Sequence, residues 1–160
     1  MDGERDGVMV RTLTAGDAPR LVRIDQAITG RNRTEWYEGK LKRALLESDI
    51  RISLGAERDG LLVGAVLGSL HYGEFGIPEP IAVLDTILVD PAVRSHGVGT
   101  ALFDQLARNL CALGIRRLRT EVGWDEHDLN RFLGHRGFVP APRLVLELPL
   151  GESWTAKDPT

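Results

Sequence analysis

Leu84-Asp85-Thr86-Ile87-Leu88-Val89-Asp90-Pro91, followed closely by Arg94-Ser95-His96-Gly97-Val98-Gly99-Thr100-Ala101-Leu102, decides the fold of this 160-residue chain. The first stretch closes an apolar run from Ile81 to Val89, which reads as a buried central strand. Asp90-Pro91 stops it. Beyond the Gly-x-Gly turn a helix opens near Val98, with Leu102, Leu106, Leu110 and Leu113 on its inner face and Gly114 as a left-handed cap. A strand, a glycine turn and a helix start in that order make an anion cradle. Backbone N–H groups converge there, and the helix dipole adds roughly half a positive charge. Gly97 and Gly99 let a diphosphate approach the backbone where a Cβ would block it. Arg94 adds a permanent cation, and Ser95, His96, Val98 and Thr100 complete the turn.

Around this unit the pattern predicts further elements. Val8 to Leu13 alternates as a strand. Thr14 caps a helix from Ala15 to about Ala27 with Pro19 in its first turn, and Thr34 starts a second helix. Ile50, Ile52, Leu54 and Ala56 alternate as a half-buried strand, and Asp59-Gly60 turns it into Leu61 to His71. Tyr72 to Pro80 is a Gly/Pro loop. Ile115 to Val122 reads as the next strand. Asp125 caps a short helix with Leu129, Phe132 and Leu133 inward, Gly137 ends it, and Phe138 to Leu148 supplies the last strands. The whole is an α/β domain: a mixed central sheet with helices on both faces.

Bulk properties narrow the function. With 42% hydrophobic and 27% charged residues the chain is globular. A formal charge of −3, with Arg interspersed among acids, does not point to nucleic acid. No apolar run approaches the ~18 residues that span a membrane. The polar start lacks a signal-peptide core, and no metal site is expected. Cys111 stands alone, which excludes an internal disulfide, suits a reducing cytoplasm, and reads as a small buried helix residue.

The segment 84–102 resembles the GNAT superfamily of acyl-CoA N-acyltransferases, through the pattern Arg94-x-x-Gly97-x-Gly99 after a strand. Leu118-Arg119-Thr120-Glu121-Val122 and Gly137-Phe138 fall where that family has its next strand and its post-helix turn. The resemblance implies a GNAT-like domain over residues 8–148, with a disordered start (1–7) and a polar tail (149–160). It implies acetyl-CoA as cosubstrate, lodged where two central strands splay apart. Backbone groups of Ile87, Leu88 and Val89 would bind the pantetheine amides, and residues 94–100 the diphosphate. It implies an amine acceptor, small molecule or peptide, and a possible homodimer through Leu144 to Leu148.

Transfer needs a neutral amine. Neutralising a lysine-type amine at pH 7 costs about 4.6 kcal/mol, and an α-amine about 1 kcal/mol, so a general base helps. Glu121 matches the catalytic glutamate of the superfamily's ribosomal-protein N-terminal acetyltransferases. Asp85 is the second candidate, placed by period-two counting on the strand face of Ile87 and Val89. Arg31, Arg33, Trp36 and Tyr72 are candidates to hold the acceptor, with Tyr37, His71 and Glu74 near the same opening. The sequence departs from the family at Leu133, where many members carry the tyrosine that protonates the leaving thiolate. His135 is a conceivable replacement. That departure keeps a second reading open, a non-catalytic acyl-CoA sensor or interaction module. A dinucleotide-binding turn fits less well, because its third glycine is Leu102 here.

Overall fold

The computed structural model describes residues 7–47, 52–73 and 76–155, with residues 94–96 described in backbone only. Expectations for Ile50, Glu74 and the terminal stretches 1–6 and 156–160 lie outside the described residues. The chain forms two compact units, Met1–Glu121 and Val122–Thr160.

The first unit is a five-stranded sheet in the order β1 (Val8–Thr12), β2 (Leu54–Arg58), β3 (Leu61–His71), β4 (Ile81–Val89) and β5 (Leu118–Arg119). Neighbours are antiparallel except β4 and β5, which run parallel. Helices α1 (Ala18–Thr29) and α2 (Thr34–Glu47) link β1 to β2, and α3 (Val98–Ala112) links β4 to β5. Local chemistry explains the boundaries. The Thr14 N–H donates to Asp17 Oδ2 at 2.8 Å and sets the 3₁₀ turn before α1. Gly30, at φ 72°, ends α1 in the left-handed conformation. Asp59 and Gly60, at φ 51° and 75°, make the two-residue hairpin turn.

The sheet separates two apolar cores. On one face α3 buries Val98, Leu102 and Leu106 against Leu54, Val66 and Leu84. On the other, α1 and α2 bury Leu21, Ile24, Tyr37 and Leu41 against Ala65, Leu67 and Leu88. The predicted α/β class, mixed sheet and two-sided helices are therefore present. Cys111 corrects an expectation: it follows Leu110 off the apolar stripe of α3 and is exposed.

A bulge in β4 sets the phase of everything near the site. Thr86 pairs with Leu67 and Leu84 with Gly68, so Asp85 is the extra residue. Ala82 and Leu84 face the α3 core, and so do Ile87 and Val89. The parity changes at Asp85. Asp85 reaches Lys40 on α2, while Leu88 joins the α1/α2 core. Period-two counting had put Asp85 with Ile87 and Val89; the inserted residue puts it on the opposite face.

β5 is shorter than predicted, for two reasons. The Ile115 N–H completes the α3 terminus by donating to Leu110 O at 2.9 Å. At the other end the Thr120 hydroxyl, rather than a backbone N–H, donates to Leu84 O at 2.7 Å.

The second unit holds α4 (His127–His135), with Leu133 buried and Gly137 at φ 96° beyond its end. Glu126, not Asp125, precedes it as cap, and its Oε2 accepts from the Gly123 N–H at 3.0 Å. The strands expected over residues 138–148 are absent from these described residues. Pro140 and Pro142 lack ladder donors, and the Arg143 N–H donates to Ala141 O in a tight turn. Leu144, Val145, Leu146 and Leu148 are all exposed, without in–out alternation.

Gly64 on β3 seats α3. A Cβ there would lie 2.7 Å from Val98 Cγ1 and 2.9 Å from Leu88 O, and the carbonyl belongs to a rigid strand. Gly64→Ala is therefore expected to lose about 2 kcal/mol of stability by overpacking. Urea denaturation measures it; an unchanged midpoint would mean that α3 lifts off the sheet freely.

Candidate active site

Asp90 builds the site from the end of β4. Its N–H donates to Val63 O at 2.8 Å, the last rung toward β3. Its Oδ1 accepts from the Ala92 N–H at 3.0 Å, with Pro91 in the first turn, and so caps the 3₁₀ segment Pro91–His96. Its Oδ2 accepts from Arg20 Nη2 at 2.7 Å, and Arg20 Nε donates to Leu62 O at 2.8 Å. One carboxylate thus ties α1, β3 and the glycine turn together. The sequence reading took Asp-Pro only as a strand stop; the cap signature was there to be read.

Gly97 opens α3 at φ 73°, exposed, and has no side chain of its own to cap the helix. A Cβ added at Gly97 would meet nothing within 4 Å. Ala101 donates back to Gly97 O, the first turn of the helix, which leaves the amides before it without intrahelical acceptors. Val98 is buried under the turn, and Gly99 and Thr100 follow in the first turn of α3. The backbone of Arg94, Ser95 and His96 leads into Gly97; their side chains lie outside the described residues.

Beside this helix start lies an open strand edge. Because the Asp90 N–H points to β3, alternation turns the backbone groups of Val89 and Ile87 the other way, toward β5. Pairing between β4 and β5 covers only Ala82 with Leu118 and Val83 with Arg119. Past the Thr120 to Leu84 bond the strands share no register pair, so Ile87 and Val89 present amides and carbonyls to a gap. Leu88 differs from its neighbours. Its carbonyl faces β3, lying near Gly64, and its side chain is core.

Asp85 and Glu121 each lie two residues beyond the last β4–β5 register pair, Val83 with Arg119. Glu121 is exposed, and Asp85 is 36% exposed. Their surroundings differ. Asp85 Oδ1 takes both the Lys40 ammonium at 2.7 Å and the Thr86 hydroxyl at 2.9 Å. Lys40 was missed by the sequence reading, although its spacing of four from Trp36 was a usable signal.

The predicted acceptor residues divide in the structure. The Arg33 fork grips Asp25 through Nε at 2.8 Å and through Nη2, and Tyr37 Oη donates to Asp25 Oδ1 at 3.0 Å. Asp25 is 1% exposed, so this is a structural ion pair. The Arg33 edge that an acceptor carboxylate would use is already taken. Trp36 is 42% exposed, with Arg33 5.0 Å and Lys40 4.9 Å from its ring centroid. Arg31 and Tyr72 are exposed. A cleft of about 220 Å³ lies between α2 and the strands, lined by Lys40, Arg43, Glu47, Gly68, Ser69 and Asp85.

Comparison with known proteins follows the same lines. The family model described as "Acetyltransferase (GNAT) family" matches residues 20–138. No curated protein matches the chain. Among solved structures, a transcriptional regulator from Bacillus halodurans C-125 is 18% identical over 89% of this chain and 99% of its own, at a TM-score of 0.74. The aminoglycoside N-acetyltransferase AAC(6')-Iy in complex with CoA is 17% identical over 89% of this chain and 94% of its own, at 0.73. A ribosomal-protein-alanine N-acetyltransferase from Brucella melitensis biovar Abortus 2308 is 23% identical over 89% of this chain and 99% of its own, at 0.69. These three likenesses establish a shared fold.

The buried ion pairs make a pH prediction. The Arg33 fork holds the Asp25 carboxyl below its ordinary value of 3.8, against burial, which raises it; the Tyr37 hydroxyl helps lower it. The Arg11 fork does the same for Asp17, again against burial. Depressed folded values contribute stability that is complete above pH 4 and is lost as pH falls through them. Acid titration of the melting temperature is expected to show that loss. Asp25→Asn, which strands Arg33, is expected to reduce stability by roughly 3 kcal/mol at pH 7 and to flatten the acid limb. An acid limb equally steep in that variant would remove Asp25 as its source.

Proposed function

The chain belongs to the GNAT acetyltransferase family, and on that premise we propose that it moves an acetyl group from acetyl-CoA to a primary amine by direct attack on the thioester. The observation that carries this reading is the uncapped start of α3 at left-handed Gly97, set beside the unpaired edge of β4. The site fits the donor in kind. Free amides and a helix dipole suit a diphosphate, and the outward groups of Ile87 and Val89 suit the amides of the pantetheine arm. Arg94, Ser95 and His96 flank the phosphates, while Leu88 supports the strand from the core.

Glu121 is the general base in this reading. It is exposed at the level where β4 and β5 part, and an ammonium arriving there can give up its proton to it. The amine nitrogen then bonds to the thioester carbon, the C–S bond breaks, CoA leaves as thiolate, and the second proton shed by the new amide nitrogen passes through water to the thiolate. Water protonates the thiolate, since the position of the usual tyrosine is the buried Leu133. Asp85, held by Lys40, receives the incoming ammonium rather than the transferred proton. The acceptor is an amine, the class borne by the aminoglycosides of the similar AAC(6')-Iy enzyme. Trp36, Arg31 and Tyr72 stand exposed to meet its remainder.

Two variants separate donor binding from chemistry. Gly97→Asp puts a carboxylate at the phosphate turn in a backbone conformation that disfavours side chains. It is expected to weaken acetyl-CoA binding at least about tenfold, a loss of 1.4 kcal/mol read by calorimetry. Glu121→Gln is expected to keep that affinity and to lower kcat about a hundredfold, measured as amine-dependent release of free CoA. Full turnover in Glu121→Gln would remove Glu121 from the mechanism. Failure of the parent protein to bind acetyl-CoA would overturn the function.

A further inference from the structure

Lys40 sits in a small recognition site of its own. Its Nζ lies 2.7 Å from Asp85 Oδ1 and 4.9 Å from the centre of the Trp36 ring. A carboxylate and an aromatic face are the two partners that recognise an ammonium ion best. The side chain is only 18% exposed, so its four-carbon stem is housed along the cleft between α2 and the bulge of β4. The bulge itself turns Asp85 onto this face, with the Thr86 hydroxyl fixing the carboxylate. Asp85 follows directly on the last residues of β4 before the strand parts from β5, and its carboxylate opens onto the α2 side of the sheet, where the proposed function brings the incoming ammonium.

We propose that Lys40 is an internal occupant of the acceptor's ammonium subsite, and that this subsite takes an unbranched primary alkylammonium. The ligand's identity as acceptor rests on the acetyl-transfer reading; the occupancy by Lys40 does not. Lys40 and the Thr86 hydroxyl already fill Asp85 Oδ1, and a second ammonium on the same oxygen is repelled by the first, so an acceptor that takes this seat competes with Lys40 for it. Lys40 is thereby a specificity residue. It holds the subsite closed against weak binders, and its unbranched stem in the cleft sets the shape of the amine that can replace it.

The test vacates the subsite. In Lys40→Ala, n-propylammonium supplies the missing chain and charge, and is expected to raise the melting temperature by several degrees with a saturable dose response. The parent protein, Lys40→Met, whose side chain still fills the space, and Lys40→Ala/Asp85→Asn are expected not to respond. The bulkier tert-butylammonium is expected to give no rise in Lys40→Ala. An equal response of parent and Lys40→Ala, or of the two amines, overturns the occupancy. With acetyl-CoA present, Lys40→Ala is expected to acetylate n-propylamine with KM about tenfold below the parent's, the factor of one charged hydrogen bond, and Lys40→Arg to restore the parent KM. Thermal rescue without any KM change overturns the acceptor assignment while leaving the binding site. A parent protein that does not bind acetyl-CoA sinks the transfer reading instead, and the thermal comparison still decides the occupancy.

Discussion

One extra residue in β4 governs this molecule. Without the bulge at Asp85, a strand of strict period two would carry the same face from Ile81 to Val89. Either the acid would point into the α3 core or Leu88 would leave its own. With it, both ends of the strand pack correctly and the polar residue falls between, on the side of α2. The bulge also separates the part of β4 that pairs with β5 from the part that does not. The outward-facing edge at Ile87 and Val89 and the position of the acid both follow from that local insertion.

The second constraint is close approach. Gly64 lets the first turn of α3 rest on β3 with Val98 fully buried. Asp90 then fixes the turn from the other side, with Arg20 neutralising its charge beneath the sheet's edge. The glycine turn is therefore held by a packed contact and a partly buried ion pair, while the backbone above it stays clear. In the proposed function such a turn meets the diphosphate already formed, so little ordering remains to be done on binding.

Much of this was legible in the residues. The strand–turn–helix unit, both ends of α3, the Asp59-Gly60 hairpin and the start of α2 follow from apolar period, caps and glycines, which act locally, whereas α1 begins at Ala18, behind a 3₁₀ turn, and not at the expected Ala15. What the sequence hid depends on partners far along the chain. The bulge is one residue of slippage between β3 and β4, and no pattern within residues 81–89 reports it. Arg33 reads as a free cation because its partner, Asp25, lies eight residues back on α1, and no pattern local to Arg33 reports a buried anion there. Lys40 was passed over because its meaning comes from Asp85, a strand away. The region after Phe138 read as strands from its leucines and valine alone, and the prolines at 140 and 142 outweigh them.

The sheet works as a partition. Its two cores share no side chains, one belonging to α3 and the other to α1 and α2. Exchanges on the outer side of α2 leave the glycine turn and its supports untouched. Descendants of such a chain can hand down the α3 side unaltered while the α2 side drifts, one helix recording the change.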